Sequence, residues 1–221
     1  MSDLVLHVGN KNYSSWSMRP WVALTAAGIP FREVLLRFDF PAGNPEIRAV
    51  SPSGKVPLLR DGELDVWESL AIIEYAADLF PDAGLWPEGR RERAVARAIS
   101  SEMATGFAAL RGACPMNLRL EPMTLAVQPA VLANVARIET LWADCLASSG
   151  GPYLFGAFCA ADAMYAPVVS RFHTYGLPVS DTSRAYMQAV MAHPAVVEWV
   201  DAGRAEPWIV AEDELPAIPK P

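Results

Sequence analysis

The sequence predicts an α/β layer followed by an all-helical unit. Two observations carry this. Up to about Phe80 the hydrophobic pattern changes period every few residues, and beyond Gly89 the apolar residues recur at helical spacing with no convincing strand. A third observation, the Pro- and Gly-rich stretch PDAGLWPEG, separates the two patterns. It places a first domain at 1–80, a linker at 81–89 and a second domain at 90–221.

In chain order, LVLHV (Leu4 to Val8) reads as a strand, MRPWVALTAAG as a helix closed by Gly28, and FREVLLRF (Phe31 to Phe38) as a second strand. Strand, helix, strand makes a right-handed βαβ unit with a parallel pair. Asp61-Gly62 between two short apolar runs signals a hairpin, and Ser69 to Phe80 is long and apolar enough for a helix on the sheet. The first domain is thus a βαβ plus ββα layer. In the second, RRERAVARAISSEMATGFAAL, VLANVARIETLWADCLASS, ADAMYAPVVSRFHTYG and HPAVVEWVDAGRAE read as helices. Breaks fall at Pro115, Gly150 to Pro152, and Gly176 to Pro178.

With 221 residues, 52% of them hydrophobic, the chain can bury a full core. Its net charge of −7 leaves no basic surplus for phosphates, so nucleic acid and anionic membranes are excluded as general partners. MSDLVLHVGN has no basic n-region or long apolar run, which argues against a secretory signal, and no stretch is long enough to span a bilayer. Cys114, Cys145 and Cys159 are odd in number and lack C-x-x-C spacing; they fit a reducing cytoplasm and buried packing roles. His7, His173 and His193 are too scattered for a metal site or a triad.

Three stretches carry candidate chemistry. In NYSSWSMRPW, Pro20 belongs in a first helical turn, so the helix is expected to begin no earlier than about Ser17. Ser14 and Ser15 then lie on the entering loop, either as caps or as donors to an anion at the helix N-terminus. In SGKVPLL, Pro57 is a strand-start proline or a cis proline; a cis bond would aim the backbone groups of Val56 out of the sheet toward an extended peptide. Ser69 either caps the next helix or, with that helix's free N–H groups, meets a carboxylate, while Glu68 beside it suits an ammonium. Neighbouring sites of those two kinds fit the α-amino acid end of a ligand.

Together, SSWSMRPWVAL, SGKVPLL and WESLAIIEYAADLFP resemble the glutathione S-transferase superfamily over nearly the whole chain. SSWSMR most resembles the serine-type zeta pattern S-S-C-S-x-R, and ALRGACPMNLR (Ala109 to Arg119) looks like a bacterial branch. The resemblance implies a thioredoxin-like first domain, a helical-bundle second domain, a homodimer, and glutathione as co-substrate. It implies that Ser14 faces the glutathione sulfur with Ser15 beside it, and that Val56, next to cis Pro57, pairs with the cysteinyl backbone. Glu68 and Ser69 would hold the γ-glutamyl end and Lys55 a carboxylate. Arg111 stands where zeta-like proteins bring a glutamine to the ligand.

The implied activity is attack of the thiolate on a small hydrophobic electrophile. Its alternatives are a glutathione-dependent isomerase or dehalogenase, or a non-catalytic binding protein of the same fold. Trp16 stands in place of the zeta cysteine, a departure that bears on maleylacetoacetate isomerase activity. Trp16, Trp67, Phe107 and Met116 are candidates for an acceptor pocket, and equally for core. In FCAADAMYAPVV, Cys159 replaces the usual Ser or Thr cap, and Asp162 remains available to cap nearby N–H groups.

Overall fold

A computed structural model describes residues 3–215. The first half holds a four-stranded mixed sheet in the order β2-β1-β3-β4. Central β1 (Leu4–Val8) is parallel to β2 (Arg32–Leu35) and antiparallel to β3 (Leu58–Asp61), which turns through Gly62 into β4 (Leu64–Trp67). Every residue of β1 is buried, as expected for a strand covered on both faces. The crossover from β1 to β2 is α1 (Ser15–Ala26), and α3 (Ser69–Leu79) follows the hairpin and packs beside it. Between β2 and β3 lies α2 (Pro45–Val50), which the sequence reading did not predict. Six residues are too few to declare a helical period.

The second half carries α4 (Arg90–Thr105), α5 (Ala108–Ala113), α6 (Pro129–Ser149), α7 (Ala160–Thr174), α8 (Asp181–Ala192) and α9 (Pro194–Ala205). The run from Arg90 to Leu110, expected as one helix, breaks at Gly106-Phe107. A Cβ on Gly106 would sit 2.8 Å from Glu102 O, and Phe107 takes a left-handed φ of 58°. The sequence reading also passed over α8. Its buried Ser183, Tyr186, Met187 and Val190 have helical spacing, and Ser180 Oγ caps Ser183 N–H, so the signal was present.

Helix α7 is buried at every position except His173, so apolar residues occupy all of its faces and its polar Asp162, Ser170 and Arg171 are buried with them. It packs against α1, α4 and α8 and is the spine between the two halves. Its start is a capping box: Cys159 is the N-cap, and Asp162 accepts Cys159 N–H at 3.0 Å. Asp162 also accepts from Leu154 N–H and Tyr186 Oη, each at 3.1 Å. Burial still pushes its carboxyl up to about 6.

One expectation about α1 is overturned. The helix begins at Ser15, not near Ser17, so Pro20 lies in its second turn. Pro20 has no N–H for the carbonyl of Trp16 four residues back. That carbonyl instead accepts from Ser69 Oγ at 2.7 Å, which removes the usual objection to an interior proline.

Candidate functional site

The end of the loop that runs from Gly9, at Tyr13 and Ser14, and the first turn of α1 form one wall of a cavity of about 360 Å³ at the junction of the two halves. Backbone turns fold the loop tightly: Asn10 O accepts from Tyr13 N–H at 3.0 Å and Ser14 N–H at 2.7 Å, and Ser15 N–H returns to Tyr13 O. No side chain caps α1. Its positive end therefore points at the cavity with the hydroxyls of Ser14 and Ser15 beside it.

Of the residues singled out from the sequence, Ser14, Ser15, Lys55, Val56 and Arg111 line this cavity. Pro57, Glu68 and Ser69 do not. The Val56-Pro57 peptide is cis, and Val56 lies outside the ladder, two residues before β3 begins. Glu68 is the N-cap of α3 with a positive φ of 69°, a conformation costly for a non-glycine residue. Ser69 is the first helical residue rather than the cap, and its hydroxyl proton is committed to Trp16 O. Among the acceptor-pocket candidates, Trp16 and Met116 line the cavity, Phe107 is core, and Trp67 is exposed on β4.

The sequence reading missed Tyr13, Arg171 and Asp213, which also line the cavity. Arg171, on α7, donates from Nη2 to Ser15 Oγ at 3.2 Å, from Nε to Cys114 O at 2.8 Å and from Nη1 to Pro167 O at 3.2 Å. Arg19 is fully buried; it donates from Nη1 to Ser15 O at 2.7 Å and from Nε to Met164 O at 3.1 Å. Its guanidinium carbon lies 4.2 Å from the centre of the Trp16 ring, and that of Arg111 lies 5.5 Å from it. Three guanidinium groups thus gather around Trp16 and Ser15.

None of the three forms a salt bridge with a carboxylate among the described residues. Burial pulls Arg171 down to about 10, so it remains a cation at neutral pH. Burial, then the charges of Arg171 and Arg111, pull Arg19 well down. Asp213 lines the cavity, where burial pushes its carboxyl up while Arg171 opposes that shift. Cys114, Cys145 and Cys159 are buried, and burial raises all three thiols, so they are poor nucleophiles.

The segment after α9 ties the loop down from the opposite half. Glu206 accepts Lys11 N–H at 2.7 Å and Asn12 N–H at 3.3 Å. Glu214 accepts Tyr13 Oη at 2.5 Å and Asn117 Nδ2 at 3.0 Å. Arg119 joins both ends, donating to Tyr13 Oη at 2.7 Å and to the carbonyls of Glu206 and Trp208. The hydroxyl of Tyr13 is consumed by this lattice. No helix among the described residues is long and apolar enough to cross a membrane, and these residues hold no group of acidic, His and Cys side chains suited to a metal ion.

Comparison with known proteins gives consistent results in both halves. Residues 13–79 match the family model described as glutathione S-transferase, N-terminal domain, and residues 121–202 match glutathione S-transferase, C-terminal domain. Glutathione S-transferase Z2 of Arabidopsis thaliana is 28% identical over 80% of this chain and 84% of its own length. Maleylacetoacetate isomerase of Rattus norvegicus is 26% identical over 80% of this chain and 81% of its own. A crystal structure of a glutathione transferase homolog from Burkholderia gl BGR1, with bound glutathione, superposes with a TM-score of 0.71 at 23% identity. That match covers 92% of this chain and 100% of the other.

Proposed function

We propose a reaction for this chain, which belongs to the glutathione S-transferase superfamily: it binds glutathione as co-substrate, holds the thiol as thiolate at the start of α1, and presents it to an electrophile in the cavity between the two halves. The observation that carries this reading is the pair of hydroxyls, Ser14 and Ser15, beside an uncapped helix N-terminus and a cluster of guanidinium groups without carboxylate partners.

A thiol of pKa about 8.5 is only a few per cent ionised at neutral pH, and lowering that by about two units takes roughly 2.7 kcal/mol. A helix N-terminus supplies about 0.3–1 kcal/mol and a hydrogen bond to a charged acceptor about 1.5–3 kcal/mol. The dipole alone falls short; dipole plus one serine hydroxyl reaches the total. The thiol proton leaves to solvent, the sulfur lone pair forms a bond to the electrophilic carbon, and the leaving group departs with its bonding pair.

In this reading the backbone of Val56 pairs with the cysteinyl part of glutathione beside cis Pro57, and Lys55 takes a carboxylate. Glu68 meets the γ-glutamyl ammonium. With the Ser69 hydroxyl proton committed to Trp16 O, the α-carboxylate is met by the N–H groups opening α3. Trp16, Met116 and Arg111 border the acceptor side. Exposed Leu64 and Trp67 on β4, with Leu79 on α3 and Val95 on α4, supply apolar surface for a homodimer, which sedimentation would test. The three buried free thiols suit a cytoplasmic protein.

The test is calorimetric titration with glutathione, followed by product analysis with an activated aryl halide. Binding with thioether formation is expected. Absence of binding would mean that the fold serves a non-catalytic role.

One observation favours a second reaction. Lys55, Arg111 and Arg171 outnumber the single acid, Asp213, in the cavity, which suits an unsaturated carboxylic acid. Addition of the thiolate, rotation about the resulting single bond and elimination would isomerise such an acid and return glutathione unchanged. Isomerisation of a cis-enoic acid without loss of thiol would identify it.

A further inference from the structure

Ser14 and Ser15 are not equivalent donors. Ser14 Oγ donates to Ser17 Oγ at 2.8 Å, and Ser17, fully buried, also receives Gly9 N–H at 3.0 Å. The single hydroxyl proton of Ser14 is thus turned into the protein wall. Ser15 Oγ is an acceptor from Arg171, and a hydroxyl that accepts there keeps its own proton for another partner.

We infer that Ser15 supplies the hydrogen bond to the glutathione thiolate, and that Arg171 is the positioning residue that aims and polarises it from the other half of the molecule. The inference rests on the glutathione reading above. Arg171 suits the role because its remaining bonds, to Cys114 O and Pro167 O, fix the guanidinium plane, and because α7 is buried along its length. Ser15 is held from a second side as well, since Arg19 donates to its carbonyl.

Arg171 is a buried cation whose hydrogen bonds go to neutral oxygens, an arrangement costly by itself and relieved by an anion nearby. Arg19 carries the same signature, for its Nη2 has no partner among the described residues. The titratable and charged groups facing Arg171 are Arg19 on α1, Arg111 on α5, Cys114, Tyr175 at the end of α7, and Asp213. Of these only Asp213 is a carboxylic acid, against the three guanidinium groups of Arg19, Arg111 and Arg171, so the local field favours thiolate over thiol.

The test is a pH titration of thiolate absorbance in the protein–glutathione complex with no electrophile present, alongside calorimetric glutathione binding. The proteins are wild type, Ser14→Ala, Ser15→Ala, Arg171→Lys and the double variant Ser15→Ala/Arg171→Lys. Ser15→Ala is expected to raise the thiol pKa by about one to two units, a loss of roughly tenfold or more in thiolate at neutral pH, and Ser14→Ala by clearly less. Arg171→Lys keeps the charge but not the fixed fork; it is expected to raise the pKa by about one unit and to add little once Ser15 is gone.

A larger shift in Ser14→Ala than in Ser15→Ala would overturn the inference, and that comparison stands even if Arg171→Lys does not fold. So would an Arg171 variant that changes KM for an electrophile while the thiol titrates as in wild type. Wild type that fails to bind glutathione removes the parent reading and this one with it. Binding with a thiolate signal indifferent to Ser15 removes this one alone.

Discussion

Ser69 Oγ donates to the carbonyl of Trp16 at 2.7 Å, across the gap between α3 and α1, at the one carbonyl that Pro20 deprives of its helical donor. The bond joins the start of one helix to the start of another, so a residue read as a ligand contact also has a structural duty. Ser69→Ala is expected to cost about 1–3 kcal/mol of stability, the penalty of a carbonyl left unpaired. In a Pro20→Ala background the new N–H can reach Trp16 O, and the same Ser69→Ala change should cost less than half as much. Urea unfolding of the four proteins in this double-mutant cycle measures the difference. Equal costs in both backgrounds would show that the carbonyl is not what Ser69 serves.

Glu68 holds a left-handed φ at an exposed position, where no packing compels a side chain. Glu68→Gly relieves about 1–3 kcal/mol of strain and gives back about 0.5–1 kcal/mol in chain entropy, for a net gain of about 1 kcal/mol. Glutathione affinity is expected to fall about tenfold, the value of one charge-assisted contact at an exposed site. Thermal unfolding and calorimetry should therefore move in opposite directions. A variant with unchanged affinity would detach Glu68 from the ligand.

The sheet, the hairpin at Asp61-Gly62 and the candidacy of Ser14, Ser15 and Val56 were legible because each depends on neighbours in sequence, whereas Lys55 entered only through the family resemblance. Turn chemistry and alternation are local properties, and the sequence displays them directly. Arg171 was not legible: it reaches Ser15 across 156 residues of chain, and within SRFHTYG it reads only as one cation near the end of a helix. Asp213 likewise enters from a short turn after the last helix. Pro20 misled, because the rule against interior proline assumes that the freed carbonyl stays unpaired. Helix α8 was readable from Ser180 and its spaced apolar residues, but its charged and small residues diluted the pattern.

Asp162 links stability to pH. Its carboxyl titrates at about 6 in the folded protein against an ordinary value of 3.8, because burial outweighs the three hydrogen bonds it accepts. Between those values the folded state binds more protons than the unfolded state, so this group's contribution to stability falls as pH rises from about 4 to 6 and is flat above. The shift corresponds to about 3 kcal/mol. Asp162→Asn should flatten this part of the profile while lowering stability at pH 7 by about 1–3 kcal/mol, since Asn offers one acceptor oxygen where two are used. Urea midpoints of both proteins at pH 4, 5, 6 and 7 separate the two effects. Parallel profiles would assign the pH dependence to other groups.

Glu206 is 8% exposed and accepts two consecutive backbone amides, Lys11 and Asn12, in the loop that delivers Ser14 and Ser15. No other acceptor for these two amides exists among the described residues, so the carboxylate substitutes for a missing strand or helix partner. Glu206→Ala strands both donors and is expected to cost about 2–4 kcal/mol; Glu206→Gln, with one oxygen left, about half that. The more telling measurement is amide exchange. If Glu206 clamps the loop locally, the Lys11 and Asn12 amides should exchange at least tenfold faster in Glu206→Gln while the amide of Leu6, inside β1, stays protected. Glutathione binding should weaken in step, because the serine hydroxyls are carried by the loosened segment. Acceleration of Leu6 to the same degree would mean that Glu206 stabilises the whole fold and has no separate hold on the site.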